Sequence, residues 1–138
     1  QFNIPDQSNT ELEDAEVIIA AGKGIGKAEN LQLLRSMAAC FNRSAIAGSR
    51  VVCDNGWLEY SAQVGLTGKK VAPLLYVACG ISGSPQHIVG MKDSKTVVAI
   101  NRDPEAVIFR YSDICVVEDL EKFIPAFIQE AEKRREEI

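Results

Sequence analysis

The stretch that most constrains the fold runs from Leu74 to His87, LLYVACGISGSPQH. It opens on a short apolar run, Leu74 to Cys79, bounded by Pro73 and Gly80. A run of that length closed by Pro and Gly reads as a strand covered on both sheet faces. Gly80, Ser82, Gly83 and Ser84 then form a loop of glycines and hydroxyls, and Pro85 is a residue favoured at the first position of a helix. A strand, a small-residue loop and a helix start present backbone N–H groups and a positive helix end to an anion. His87, the single histidine of the chain, falls in that first helical turn.

The pattern repeats along the chain. Val17 to Ala21 is a first strand, followed by a glycine-rich loop, Gly22 to Asn30, and a helix from about Ala28 to Phe41. Leu31, Leu34, Ala38 and Phe41 recur on it at spacings of three and four, which makes one buried stripe. Ala45 to Ser49 is a second strand leading into Arg50. Thr96 to Ile100 is a buried strand closed by Asn101 to Pro104, and Ile114 to Val117 is the last strand, ending at Glu118 and Asp119. A final helix reaches the mid-130s with Leu120, Phe123, Ile124, Phe127, Ile128 and Ala131 on one face. Pro125 belongs near its start or kinks it. Residues 51–70 declare no element beyond turns at Asn55-Gly56 and Thr67-Gly68, with Trp57 expected over the sheet edge. The polar, acidic residues 1–14 read as a lead-in or linker from a preceding domain, and 15–138 as one domain.

Short apolar strands alternating with helices predict a parallel sheet with helices on both faces. Ligands of such sheets sit outside the carboxyl ends of the strands, where strand order reverses. Lys23 follows the first strand, Ser49 and Arg50 the second, Ser82 to His87 the third, Asn101 the fourth and Asp119 the last. Five strand ends thus carry loops of ligand-binding type.

Composition excludes several classes. The net charge is −4 with no basic stripe, which speaks against a nucleic-acid partner. No apolar stretch reaches the ~18 residues needed to cross a bilayer, and no signal peptide opens the chain. The cysteines at 40, 53, 79 and 115 include no CxxC pair, and one histidine excludes a Cys/His zinc pattern. Cys79 and Cys115 lie in apolar runs and are expected to be buried, reduced thiols of an intracellular protein.

The obvious phosphate motifs fail on single residues. Gly22-Lys-Gly-Ile-Gly-Lys27 lacks the glycine at 27 that a dinucleotide fingerprint needs. A P-loop would need glycine at 21 and a hydroxyl at 28, and both are alanine. The loop is either a flexible turn or the carrier of Lys23 towards a ring or phosphate. Arg50 can fork onto a phosphate or a planar ring, or pair on the surface with Asp54. Asn101 can be a turn residue, and Asp119 a helix cap. His87 faces a helix's positive end, which lowers its proton affinity and makes a neutral imidazole aimed at a ligand plausible.

The run from Leu75 to Ala106, LYVACGISGSPQHIVGMKDSKTVVAINRDPEA, closely resembles the signature of electron transfer flavoprotein α subunits. The likeness continues through Ser112-Asp113 and Glu118 to Leu120, and backward through Gly48 to Arg50 and Val64 to Lys70. It covers about residues 15 to 130 and matches the C-terminal, FAD-carrying domain of that subunit. The resemblance implies a Rossmann-like three-layer α/β domain of the DHS-like NAD/FAD-binding type. It implies a non-covalent FAD, a heterodimer with the β subunit, and a carrier that takes electrons from acyl-CoA dehydrogenase-type flavin enzymes to a further acceptor. Such a protein has no substrate of its own. It works without nucleic acid or membrane insertion, in the bacterial cytoplasm or, in a eukaryote, the mitochondrial matrix.

The family's contacts carry over residue by residue. Lys23 and Gly24 lie against the flavin, with Ser49 and Arg50 near its reactive edge. Val64, Gly65, Leu66 and Thr67 form a loop over it. Ser82, Gly83, Ser84, Pro85, Gln86 and His87 cradle the cofactor, with His87 at the pyrimidine end of the ring. Asn101, Asp119 and Leu120 fall to the adenosine half. Three positions depart from the pattern: Lys23 where arginine is usual, Leu66 where glutamine is common, and Ser84-Pro85 in place of a small-apolar pair. An electron-bifurcating α subunit stays open. A nicotinamide-binding oxidoreductase domain is disfavoured by the missing fingerprint and by the lack of an acidic residue after the second strand, and a cofactor-free assembly domain would be colourless.

Overall fold

The computed structural model describes residues 11–136. Five strands form one sheet: β1 (Val17–Ala21), β2 (Ser44–Gly48), β3 (Leu75–Cys79), β4 (Thr96–Asn101) and β5 (Ile114–Val117). Their order is β2-β1-β3-β4-β5, and every pairing is parallel. The helices are α1 (Leu31–Ala38), α2 (Arg50–Asp54), α3 (Pro85–Met91) and α4 (Leu120–Glu136). This is the expected α/β arrangement, Rossmann-like in its three layers.

Alternation along each strand divides the core in two. Ile18 and Ala20 of β1, Tyr76 and Ala78 of β3, and Val97 and Ala99 of β4 face a layer built with Ile88 and Met91 of α3 and with Ile108. Val17, Ile19, Ala21, Val77, Cys79 and Ile100 face the other way, onto Leu31, Leu34 and Ala38 of α1, Val52 of α2, and Leu120 and Ile124 of α4. A strand covered on both faces needs no polar side to meet water, so its sequence stays apolar throughout. Each fully buried aliphatic side chain in these layers is worth ~1.5–3 kcal/mol.

Several boundaries differ from the periodic reading. The helix expected from Ala28 to Phe41 is a 3-10 turn over Ala28–Asn30 followed by α1, which ends at Ala38. Asn30, buried at the junction, donates to the Ile25 carbonyl at 2.7 Å and to the Glu121 carboxylate at 2.9 Å. Arg43, at φ 54°, turns the chain towards β2, and the Ser44 hydroxyl donates to the Ala38 carbonyl at 2.9 Å. Phe41 falls outside the helix yet still stacks on Phe127, ring centroids 6.0 Å apart. Pro125 sits inside α4, which runs through it with one i→i−4 bond fewer. Trp57 packs half-buried against the layer that holds α1 and α4.

The last strand is a correction. β5 is an edge strand with Ile114 at 54% and Val117 at 53% exposure, and Cys115 is exposed rather than buried. Its apolar sequence resembles that of β4, but only β4 has a strand on either side. Cys53 and Cys79 are buried, and no disulfide forms among the described residues. Residues 1–10 of the expected lead-in lie outside the described residues, whereas Leu12 is buried in the core beside Ala15. No helix among the described residues is long and apolar enough to cross a membrane.

Candidate functional site

Strand order reverses between β1, which pairs with β2 on one side, and β3, which leads to β4 and β5 on the other. The carboxyl ends of β1 and β3 therefore splay their loops apart at one point, where α/β sheets hold ligands. Here the two loops meet backbone to backbone, with the Ile81 side chain beside Gly22. Gly22 N donates to the Cys79 carbonyl at 2.8 Å and Gly24 N to the Gly80 carbonyl at 2.9 Å. Gly80 has φ +67°, and a Cβ on it would lie 2.6 Å from the Gly24 carbonyl carbon. No side chain fits between these loops, so the backbone itself forms the floor of the crevice.

Above that floor lies a cavity of about 720 Å³. It brings together Lys23 and Gly24 after β1, Ser49 and Arg50 after β2, Val64 and Gly65, Ser82, Gly83, Ser84, Gln86 and His87 after β3, and Asn101 after β4. A second cavity, about 640 Å³, shares Gly24, Gly80, Asn101 and Asp103 with the first and reaches Asp119 and Leu120 after β5. The two lie side by side along the carboxyl edge of the sheet, share those four residues as a common wall, and together form a trough. Pro85, Leu66 and Thr67 do not line it. Pro85 is the first residue of α3, Leu66 is 54% exposed, and the Thr67 hydroxyl accepts from Gln63 Nε2 at 2.8 Å.

Gln63, Gly22, Asp103, Glu105 and Val107 also line the first cavity, and the sequence reading missed them. Gln63 had no signal because nothing local marks it. It reaches the site through a bridge between its segment and Gly48 at the end of β2. The 63–69 loop then closes on itself, with Gly65 N donating to the Lys69 carbonyl at 3.1 Å and Lys69 N to the Gln63 carbonyl at 2.8 Å. Leu66 N donates to the Gln86 carbonyl at 2.7 Å, which ties this loop to the start of α3.

Several residues also hold local jobs. Arg50 Nε lies 3.5 Å from Asp54, an exposed i,i+4 pair worth at most about 0.5 kcal/mol, which leaves the guanidinium available to a ligand. Asn101 Oδ1 accepts from Asp103 N at 3.0 Å while its Nδ2 donates to the Ile81 carbonyl at 3.1 Å. Asp119 precedes α4 and accepts from Glu121 N at 3.0 Å, as a helix cap does. Ser84 caps α3, with His87 N donating to its hydroxyl oxygen at 3.4 Å.

His87 differs from all of these. It is 4% exposed, and its Nε2 lies 2.8 Å from the hydroxyl of fully buried Tyr76. Its Nδ1 is buried and makes no hydrogen bond of full geometry among the described residues, and the Val64 backbone is the polar group that comes beside the ring. Burial pushes the imidazole pKa down to about 4, and the Val64 backbone beside it pulls weakly the other way. The neutral ring expected from the sequence is present, but burial, not the end of the seven-residue α3, is the main cause. A buried ring nitrogen without a partner costs about 1–3 kcal/mol and is satisfied when a ligand supplies the missing group.

A parallel sheet whose reversal point opens on a trough of glycine backbone, hydroxyls, charged side chains of both signs and a neutral imidazole defines a cofactor-binding α/β domain of the nucleotide type. The sequence matches the electron transfer flavoprotein FAD-binding domain over residues 11–92, and the chain belongs to that family. Among its relatives, the electron transfer flavoprotein subunit alpha of Thermoanaerobacterium thermosaccharolyticum is 44% identical over 122 residues, 88% of this chain and 37% of that protein. The subunit alpha of Bacillus subtilis is 44% identical over 120 residues, 87% of this chain and 37% of its own length. The mitochondrial subunit alpha of Dictyostelium discoideum is 44% identical over 125 residues, 91% and 35% respectively. The chain thus spans a little over a third of the length of these curated relatives. The cofactor of the family is FAD, and the trough fits it. It reaches along the sheet edge, carries cations at Lys23 and Arg50, is floored by bare backbone at the switch point, and has the buried His87 in its lining.

Proposed function

We propose that this domain carries the FAD of an electron transfer flavoprotein α subunit and serves as a one-site electron carrier with no substrate of its own. The observation that carries this reading is the pair of adjoining cavities that together reach the ends of all five strands, with the buried His87 in the lining of the first. When bound, FAD supplies reversible electron transfer at its isoalloxazine ring.

The protein's part is to hold and orient that ring. Lys23 and Arg50 supply positive charge beside it, and Ser82, Gly83 and Ser84 offer hydroxyl and backbone donors. Val64 and Gly65 cover it, with Leu66 and Thr67 behind them, while Pro85 and Gln86 fix the approach of α3. His87 stands at the pyrimidine edge. Asn101, Asp119 and Leu120 receive the adenosine half along the second part of the trough. Positive charge and neutral donors near a flavin's pyrimidine edge favour its reduced forms, which sets the potential at which electrons pass.

In the complete protein the domain pairs with an electron transfer flavoprotein β subunit, as the subunit naming of its relatives suggests. Its donors are flavin dehydrogenases of the acyl-CoA dehydrogenase type. Four cysteines free of disulfides suit a reducing compartment, the bacterial cytoplasm or a mitochondrial matrix. The test is to co-express the complete α and β chains, record the flavin spectrum and count FAD per heterodimer. Bleaching of the flavin by an acyl-CoA dehydrogenase with its substrate is the expected result. A colourless complex that takes up no added FAD would sink the reading.

A further inference from the structure

Tyr76 is one of the largest fully buried side chains, at the second position of β3, four residues before Gly80 where the lining of the trough begins on that strand. Its ring packs with Ile18, Ile88 and Met91, and its hydroxyl meets one polar atom among the described residues, Nε2 of His87 at 2.8 Å. The rings lie 6.0 Å apart and tilted by 54°, so the contact is made by the hydroxyl rather than by stacking. Two buried groups here share one hydrogen, and only one arrangement satisfies both.

If Nε2 carried the ring hydrogen and donated it, the phenolic hydrogen would be left in an apolar layer with no acceptor. That strands a hydroxyl donor at a cost of about 1–3 kcal/mol. If the phenol donates instead, its hydrogen is satisfied, Nε2 is the acceptor, and the ring hydrogen of the neutral imidazole must sit on Nδ1. Burial holds both partners in their neutral forms: it lowers the imidazole pKa and raises that of the phenol. The tautomer is therefore selected from beneath the site, by a residue that touches no ligand.

We propose that Tyr76 is a positioning residue: by donating to Nε2 it fixes His87 as the Nδ1–H tautomer, so that His87 presents a hydrogen-bond donor to an acceptor atom of the bound cofactor's ring. The ligand half rests on the FAD reading above; the tautomer half does not. The isoalloxazine pyrimidine edge presents N1 and two carbonyl oxygens as acceptors and a single donor, N3–H, so a donor nitrogen suits the N1/C2 carbonyl side and either carbonyl, whereas an acceptor nitrogen suits N3–H alone. Without the tyrosine the imidazole can rotate its hydrogen to either nitrogen, and part of the population turns a lone pair towards that edge.

The complete protein with its partner subunit, labelled with ring-15N histidine, tests this directly. The His87 signals are assigned by their loss in His87→Asn. In the wild type, with FAD and after FAD has been stripped, Nδ1 is expected to be the protonated nitrogen and Nε2 the bare one. Tyr76→Phe, which removes only the hydroxyl, is expected to mix the tautomers and weaken FAD binding about fivefold, the worth of roughly one neutral hydrogen bond. In a His87→Asn background, where the amide nitrogen can stand in for Nδ1–H, the same Tyr76 change is expected to cost FAD affinity nothing further. A protonated Nε2 in the wild type overturns the proposal whether or not any variant folds. An additive loss in the double variant overturns it too, since that is what a packing role would give. If the tautomer follows Tyr76 in the stripped protein while neither single variant alters FAD affinity, the flavin contact fails and takes the ligand half with it.

Discussion

His87 concentrates the chemistry of this domain in one buried ring. Its pKa is about 4 in the fold against 6.5 in an open chain. Between those values the unfolded chain binds a proton that the folded chain does not, so stability present at neutral pH is lost as pH falls from about 6.5 towards 4. The loss amounts to ~2 kcal/mol at pH 5 and up to ~3 kcal/mol below pH 4. Urea unfolding of the FAD-free protein at pH 7.5 and 5 measures it, and His87→Asn should remove that part of the slope. Equal slopes in the two proteins would show that the ring is more exposed than its environment here allows. Arg50 and Asp54 make the opposite case at the same scale. Their exposed pair contributes little, so Asp54→Asn should leave stability within about 0.5 kcal/mol while freeing the guanidinium to turn towards the trough.

At the scale of elements, the site depends on two loops meeting backbone to backbone. Gly80→Ala places a Cβ against the Gly24 main chain at a positive φ, and it should cost roughly 2–4 kcal/mol by overpacking and strain together. Gly26 also has a positive φ, +91°, but open space around it, so Gly26→Ala should cost only about 1–2 kcal/mol. Thermal unfolding of the two variants separates crowding from conformational strain, and equal losses would remove the crowding argument. The strands were legible because Val17–Ala21, Leu75–Cys79 and Thr96–Asn101 are apolar runs too short to be helices and closed by Gly, Pro or Asn. The 51–70 segment was not, because its order comes from long-range main-chain bonds such as Val64 N to the Gly48 carbonyl, which leave no periodic trace. Nor could sequence tell that β5 ends the sheet with little covering it: Cys115 reads as buried, yet it, Ile114 and Val117 are exposed, whereas the other edge strand, β2, is buried. Brief alkylation of the native domain should therefore modify Cys115 and spare Cys79, whose thiol is buried and pushed up to about 12. Peptide mass analysis reads the two sites separately, and labelling of Cys79 at the same rate would contradict its burial.

For the whole molecule, two adjoining cavities together touch the carboxyl end of every strand, so a ligand that fills both bridges both halves of the sheet about the β1/β3 reversal. Local opening at either half would then break contacts with that ligand, and binding should report as global stability rather than as the ordering of one loop. A ligand bound only by the native state adds RT ln(1 + [L]/Kd), about 2.7 kcal/mol at a hundredfold excess over Kd. For a domain of this size that corresponds to a rise of roughly 6–10 °C in unfolding temperature. FAD should produce this shift in full. FMN, which lacks the adenosine half, would leave the Asn101 to Leu120 part of the trough unfilled and give a smaller one. NAD should give little, since the loop after β1 has lysine where its fingerprint requires glycine at 27, and β2 ends in Ser49-Arg50 without the acidic residue that reads a ribose. Stripping the flavin should lower every unfolding probe together, near-ultraviolet and far-ultraviolet signals alike. A flavin effect confined to one probe, or equal shifts from FAD and NAD, would mean that the trough does not bind one elongated flavin dinucleotide along its whole length.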